Sequence, residues 1–218
     1  MELRRTANAG VLLTLDGVSI LLDGVCREVK PYLATPKEER EKLTGQWPQV
    51  VGFSHSHKDH YDPAYAVAFQ ARTSGVLLGP ESLPGCKASM NPATVEGVTV
   101  TPVATRHIGP AGKTTEHASF LVEGSKTVWF MADASPMQFR TSGLTPAPDV
   151  LIVPYAYCLT ADAWKLTKTW NPGCVVLLHM PDQADDPLGL WDGVHQVIGE
   201  DRSIPIYHMD MGQVVHLD

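Results

Sequence analysis

His55, His57, Asp59 and His60 stand within six residues, in the run Ser54-His55-Ser56-His57-Lys58-Asp59-His60. Imidazole nitrogens and carboxylate oxygens together are the donors that bind Zn²⁺, Mn²⁺ and Fe²⁺. At this composition an H-x-H-x-D-H run arises by chance on the order of once per thousand chains. Two histidines two positions apart on an extended turn can close on one ion. Asp59 and His60, turned the other way where a helix begins, can reach a second. A two-metal site needs more donors than one loop carries, and each should come from a strand end at the same rim. Three more are at hand: His107 after the run Val98 to Val103, Asp133 after Val128 to Met131, and His179 after Cys174 to Leu178. A single histidine at a strand end is usually a capped loop residue. Four strand ends that each deliver His or Asp are a pattern.

Such groups require strands that stop together. Val11 to Leu15 and Val18 to Leu22 flank Asp16-Gly17, the pair a two-residue type I′ turn prefers, which predicts a hairpin that runs into Asp23. Gln49 to Phe53 predicts a buried strand ending at Ser54. Asp62-Pro63, an N-cap with proline at the first helical position, then opens an apolar helix to Arg72, so the histidine run is a strand-to-helix loop. Pro36 to Leu43 predicts a short surface helix with Thr35 as N-cap and Gly45 just past its end. Val76 to Gly79 predicts a strand, Glu81 to Leu83 a short helix, and Val98 to Val103 a strand. Ser119 to Val122 and Thr127 to Met131 predict a second hairpin, around Gly124-Ser125, which ends at another carboxylate, Asp133. Strand Val150 to Val153, helix Ala161 to Lys168, strand Cys174 to Leu178, helix Leu188 to Ile198 and strands near Ile206 and Val214-Val215 follow. Meanders giving way to β-α alternation predict two mixed sheets with helices outside.

At 218 residues, with 44% hydrophobic side chains, the chain has the size and apolar content of one domain over residues 1–218. Seventeen Lys and Arg against 24 Asp and Glu give a net charge of −7, which repels phosphate backbones, so no nucleic-acid partner is expected. No apolar run approaches the ~20 residues of a membrane span, and Met1 to Thr6 has no leader-like apolar stretch, which predicts a cytoplasmic protein. Cys26, Cys86, Cys158 and Cys174 form no C-x-x-C pair and are expected to be free thiols, mostly buried. There is no G-x-S-x-G, so no serine nucleophile is signalled.

With these groups in this order the chain resembles the metallo-β-lactamase superfamily, in its branch of small stand-alone hydrolases such as ascorbate-phosphate lactonases and N-acyl-phosphatidylethanolamine phospholipases. The resemblance spans the opening hairpin from Ala9-Gly10-Val11 to Asp23, Ser54 to Pro63, the hairpin to Ala132-Asp133, and the strand to His179-Met180. It implies an α/β (α+β) fold, a four-layer αββα sandwich of two mixed sheets, with two metals in a groove at one edge. It places His55, His57 and His107 on the first metal, Asp59, His60 and His179 on the second, Asp133 between them, and Asp23 as a structural aspartate beneath. Ala132 departs from the glycine usual before the bridging aspartate. The implied cofactors are two Zn²⁺, with Mn²⁺ or Fe²⁺ as alternatives.

Two zinc ions sharing a water lower its pKa from about 15.7 toward ~7. The implied activity is therefore hydrolysis of an ester, lactone or phosphodiester of a small molecule by metal-bound hydroxide, with Asp59 also orienting the nucleophile. His117 rivals His107 as third histidine; His107 lies 26 residues before Asp133 and His117 lies 16, and the longer gap leaves room for a loop and two strands. Lys58, Arg106, His117, Tyr155 and Tyr157 are candidate substrate contacts. His195, His208 and His216 have no ligand spacing. A di-iron redox relative would carry Glu at His57. A nuclease or phosphodiesterase of the same fold usually adds a domain or basic arm, and a non-catalytic metal-binding relative would have lost ligands.

Overall fold

Apolar residues at every second position commit one face of the opening strands to a core. In the computed structural model, which describes residues 1–217, the first hairpin is β2 (Val11–Leu15) and β3 (Val18–Leu22). Asp16 and Gly17 between them both have positive φ, +51° and +87°, as a type I′ turn demands. β1 (Glu2–Arg5) pairs antiparallel with β2 and with β13 (Val214–His216). On the other side β3 runs parallel to β4 (Val50–Gly52), and β4 to β5 (Val76–Leu78). The six-stranded sheet has the order β13-β1-β2-β3-β4-β5.

The second sheet has seven strands. β6 (Ala93–Val95), β7 (Val98–Arg106), β8 (Glu116–Glu123) and β9 (Thr127–Phe130) form an antiparallel meander. β10 (Val150–Pro154), β11 (Cys174–Leu178) and β12 (Ile206–His208) then continue it in parallel, giving the order β12-β11-β10-β9-β8-β7-β6.

Leu13, Ile20, Leu22 and Val50 from one sheet meet Val100, Phe120, Phe130 and Ile152 from the other. Outside the first sheet, α1 (Lys37–Gly45) and α2 (Pro63–Arg72) lay Leu43, Tyr65 and Phe69 on Leu21, Val51 and Phe53. Outside the second, α3 (Ala161–Thr169) and α4 (Leu190–Ile198) bring Trp164, Val194 and Ile198 onto Leu151, Val175 and Leu177. This is the four-layer αββα sandwich. Each fully buried Leu, Ile, Val or Phe contributes roughly 1.5–3 kcal/mol, so a one-residue slip, which exchanges the two faces of a strand, is strongly disfavoured.

Several local expectations are corrected. Glu81 to Leu83 forms a turn, in which the Leu83 N–H donates to the Pro80 carbonyl (3.2 Å); Pro84, lacking an N–H, disfavours a continuing helix. Thr35 does not cap α1; its hydroxyl accepts the Cys26 N–H instead (2.9 Å), and Pro36 stands at the N-cap without a side-chain bond. Gly45 is the last residue of α1. β1 and β6 escape a reading based on apolar runs because each is short, and β7 continues past Val103 to Arg106, opposite Glu116 to Ala118 on β8. Three of the four cysteines are buried and all are free.

Candidate metal centre

β3, β4, β9 and β11 release the chain at one rim, and there the backbone turns sharply. Asp23, Ala132 and His179 have φ of +46°, +46° and +57°, a left-handed conformation that costs a non-glycine residue on the order of 1–3 kcal/mol and clusters at functional sites. At Ala132, where the resemblance leads one to expect glycine, alanine adopts the turn. His107 arrives on the extension of β7, in a bridge to Ala134, with the Ile108 N–H on the Asp133 carbonyl at 2.8 Å.

Two groups of donors result, each with its ligand atoms within 4.8 Å of one another: His55, His57 and His107; and Asp59, His60 and His179. Asp133 lies between them. Its Oδ2 is 3.4 Å from His107 Nε2 and 3.5 Å from His60 Nε2, and its Oδ1 is 3.7 Å from His179 Nε2. In the second group His179 Nε2 lies 3.3 Å from Asp59 Oδ2 and 3.0 Å from His60 Nε2. Asp23, His55 and His60 form a further close trio.

Three of the rings are held from behind. Ser54 Oγ meets His55 Nδ1 (2.8 Å), Asp23 Oδ2 meets His60 Nδ1 (2.8 Å), and the Ile108 carbonyl meets His107 Nδ1 (2.7 Å). That leaves Nε2 of each ring facing the cluster, the orientation a metal-binding histidine needs. His55 Nε2, His107 Nε2, His179 Nδ1 and Asp133 Oδ1 are buried with no hydrogen-bond partner. Buried polar atoms are normally paired, and four orphans among seven convergent His and Asp residues are what a site built for cations presents. The donor set suits divalent zinc, manganese or iron.

Electrostatics agree with a metal-ligand role. Burial drives His55 well below the usual histidine range and lowers His57, so both are neutral and hold a free lone pair. Burial opposes ionisation of Asp133, but His179, His60 and His107 outweigh it and hold the carboxyl well below its ordinary value. Asp59 is held low against the same opposition by its bond to His179 and the charge of His60. His60 and His107 are raised, against the burial that would lower them, chiefly by Asp133. Cations between these groups would displace the protons.

His117 has a different task. It is buried, joins neither donor group, and binds the Asp133 N–H through Nε2 (3.1 Å) and Thr105 Oγ1 through Nδ1 (2.7 Å). Burial pushes its pKa down to about 3, so the ring stays a neutral acceptor. Asp23 is fully buried, taking the Ser54 N–H on Oδ1 (2.7 Å) and the Ser54 hydroxyl on Oδ2 (2.6 Å). Tyr155 lies 5.8 Å, ring to ring, from His179. Tyr157 is fully buried against Trp170 in the core beneath α3, while Lys58 and Arg106 are exposed. Sequence reasoning missed Tyr32, whose ring meets His179 edge-on at 4.4 Å; nothing in its local sequence marks it. It also missed Ser54 as clamp of Asp23 and Thr115, 3.5 Å from His57 Nε2. A serine between a buried strand and a histidine run was the signal for the first.

No family model matches the chain, and no curated protein matches it. Solved structures do. The chain is similar over 98% of its length to 97% of Igni18, a novel metallo hydrolase from the archaeon Ignicoccus hospitalis, at 21% identity and a TM-score of 0.65. All of it aligns with 99% of a possible metal-dependent hydrolase from Veillonella parvula, at 14% identity and a TM-score of 0.73. The metallo-β-lactamase fold protein YhfI from Bacillus subtilis matches at 19% identity and a TM-score of 0.62, over 98% of both chains. The chain has the metallo-β-lactamase fold.

Proposed function

We propose that the protein is a metal-dependent hydrolase that holds two divalent cations, zinc by default, and cleaves an ester, lactone or phosphodiester of a small molecule. The observation that carries this reading is Asp133, whose carboxylate lies within 3.4–3.7 Å of histidines from both donor groups. His55, His57 and His107 would hold one ion, Asp59, His60 and His179 the other, with Asp133 between them. Bound there, the ions would supply an acidified water and an electrophile for the scissile carbonyl or phosphoryl oxygen.

The chain's own groups do the rest. Asp59 has a side chain 14% exposed against 9% for Asp133 and none for Asp23, so it is the cluster carboxylate most open to solvent. Kept ionised, it orients the attacking water and accepts its proton. Tyr32 and Tyr155 border the substrate side at His179; burial and the charge of Asp133 raise both phenols, so they remain protonated donors. Ser54 is no nucleophile, because it is fully buried and bonded to Asp23. Among the described residues no helix is long and apolar enough to cross a membrane.

Elemental analysis of reconstituted protein, run beside a panel of chromogenic esters, lactones and bis-phosphodiesters, tests this. About two ions per chain and turnover of at least one class are expected, with Asp59→Asn abolishing turnover while the protein stays folded. A content that never exceeds one ion per chain overturns the two-ion reading. Activity lost to a serine-directed covalent reagent overturns the mechanism.

A further inference from the structure

A cavity of about 500 Å³ adjoins the metal centre. Tyr32, edge-on to His179, lines it, as does Met180, the next residue in the chain. Arg5 and Asn8, both buried, lie among its lining residues. The Arg5 guanidinium donates to the carbonyls of Ala7 (3.3 Å), Met209 (2.7 Å) and Asn8 (3.2 Å). Those bonds engage three of its five N–H groups and neutralise none of its charge. Among the described residues Arg5 has no ion-pair partner; Asp210, exposed at the cavity rim, is the carboxylate whose charge reaches it. A buried guanidinium left in that condition is costly.

The Asn8 amide nitrogen is likewise buried without a partner. Both groups are donors, and what they lack is an acceptor that bears negative charge. A planar carboxylate matches the guanidinium fork. A doubly charged phosphate suits the cavity less well, because repulsion by Asp182 and Asp210 at its rim grows with the charge of the ligand. Trp191 adds apolar surface to the wall, fixed by its indole N–H on the Pro181 carbonyl (2.9 Å) and by the ring of His208 at 4.5 Å.

We propose that this cavity binds the carboxylate end of a small organic acid, with the carboxylate on Arg5 and the hydrocarbon body against Trp191 and Met180. Taken with the hydrolase reading, on which this step rests, the substrate class narrows to an ester or lactone that carries a free carboxylate remote from the bond cleaved. The non-reacting end would then anchor the molecule while Tyr32 separates it from the ions, a use of remote binding to orient the reacting bond.

Calorimetric titration of the chelator-treated full-length protein with 3-phenylpropionate, its uncharged amide and phenyl phosphate removes any contribution from metal. The acid should bind at least ~10-fold more tightly than the amide and more tightly than the phosphate, and Arg5→Met should cut acid affinity by roughly 10–100-fold, the range for a charge-assisted bond. Leu33→Glu, at a lining position 59% exposed, should weaken the acid several-fold and leave the amide unchanged. Should Arg5→Met fail to fold, Leu33→Glu decides. Equal affinity for acid and amide, or acid binding indifferent to the Leu33 variant, overturns the proposal, and a preference for phosphate overturns the choice of carboxylate. Carboxylate binding without hydrolysis of any ester, lactone or phosphodiester after reconstitution sinks the hydrolase reading alone; equal kcat/KM for acidic and neutral esters sinks this one alone.

Discussion

Asp23 and Asp133 are reached in similar ways, each past the second strand of an antiparallel hairpin and each at a left-handed turn of φ +46°, which falls on Asp23 itself in one case and on Ala132, just before Asp133, in the other. Their surroundings differ. Asp23 is closed off: every contact, to the Ser54 amide, the Ser54 hydroxyl and His60, is 2.6–2.8 Å long. Asp133 is ringed by three imidazole nitrogens at 3.4–3.7 Å, and its Oδ1 has no hydrogen-bond partner at all. Short, complete bonding marks a finished structural element, whereas a buried carboxylate surrounded at slightly too great a distance marks a place where further atoms belong. Even the clamps differ in kind, for Ser54 grips the carboxylate of Asp23 while His117 grips the backbone N–H of Asp133 and leaves its carboxylate free.

The largest effect should separate the two aspartates. Asp133→Asn should lower metal affinity by more than ~100-fold, beyond the range for a group that only supports a ligand, and abolish activity. Asp23→Ala strands Ser54 and the ring of His60, so the metal-free protein should lose about 3–5 kcal/mol of stability, with metal affinity falling only ~10–100-fold. Denaturant melts of chelated protein and bound zinc in both variants check this. A greater stability loss at Asp133 than at Asp23 would erase the distinction.

A smaller contrast concerns the two histidines that serve Asp133. His107→Ala removes a donor and should leave a desalting column depleted of zinc. His117→Ala removes only the anchor of the Asp133 amide and should retain near-stoichiometric metal with at most a ~10–100-fold loss of activity. A depleted His117 variant beside a loaded His107 variant would exchange their roles.

The smallest effect is a slope. His117 in the fold is held at about 3 by burial, whereas in the unfolded chain it titrates near ~6.5. Between those values the unfolded chain binds the extra proton and the folded chain does not, so this residue makes stability fall as pH is lowered through that window, by up to about 1.4 kcal/mol per unit. Above it the residue adds no pH dependence. Metal-free His117→Asn should therefore show a flatter decline than the parent between pH 6 and pH 4; an unchanged slope would mean that the ring is not buried neutral.

What the sequence made legible was what short segments encode. Asp16-Gly17 specifies its turn and Asp62-Pro63 its helix start through bonds that span two or three residues, with Asp62 Oδ1 accepting the Ala64 and Tyr65 amides at 2.8 and 3.2 Å. The histidine run sits in one such interval. The choice between His107 and His117 rested on residue counts, although its physical basis is register: pairing of β7 with β8 sets His117 opposite Thr105 and turns it onto the Asp133 backbone. Pairing over that distance leaves no local trace. Tyr32, and the cavity where Arg5 meets Met209 across 204 positions of chain, were invisible for the same reason, and His208, dismissed for want of ligand spacing, lines that cavity.

Each donor group draws on both sheets. His55 and His57 follow β4 while His107 extends β7, and Asp59 and His60 belong to the first loop while His179 ends β11. An ion in either place would consequently be a rivet through the sandwich, adding to the apolar interior and to hydrogen bonds such as the Ala118 N–H on the Ser54 carbonyl (2.9 Å) that already join the two sheets. The first 90 residues bring Asp23, His55 and His60 together, but they complete neither of the two donor groups that flank Asp133. Filling either of these two groups would require the two sheets to have met face to face, so metal held there would report completed assembly.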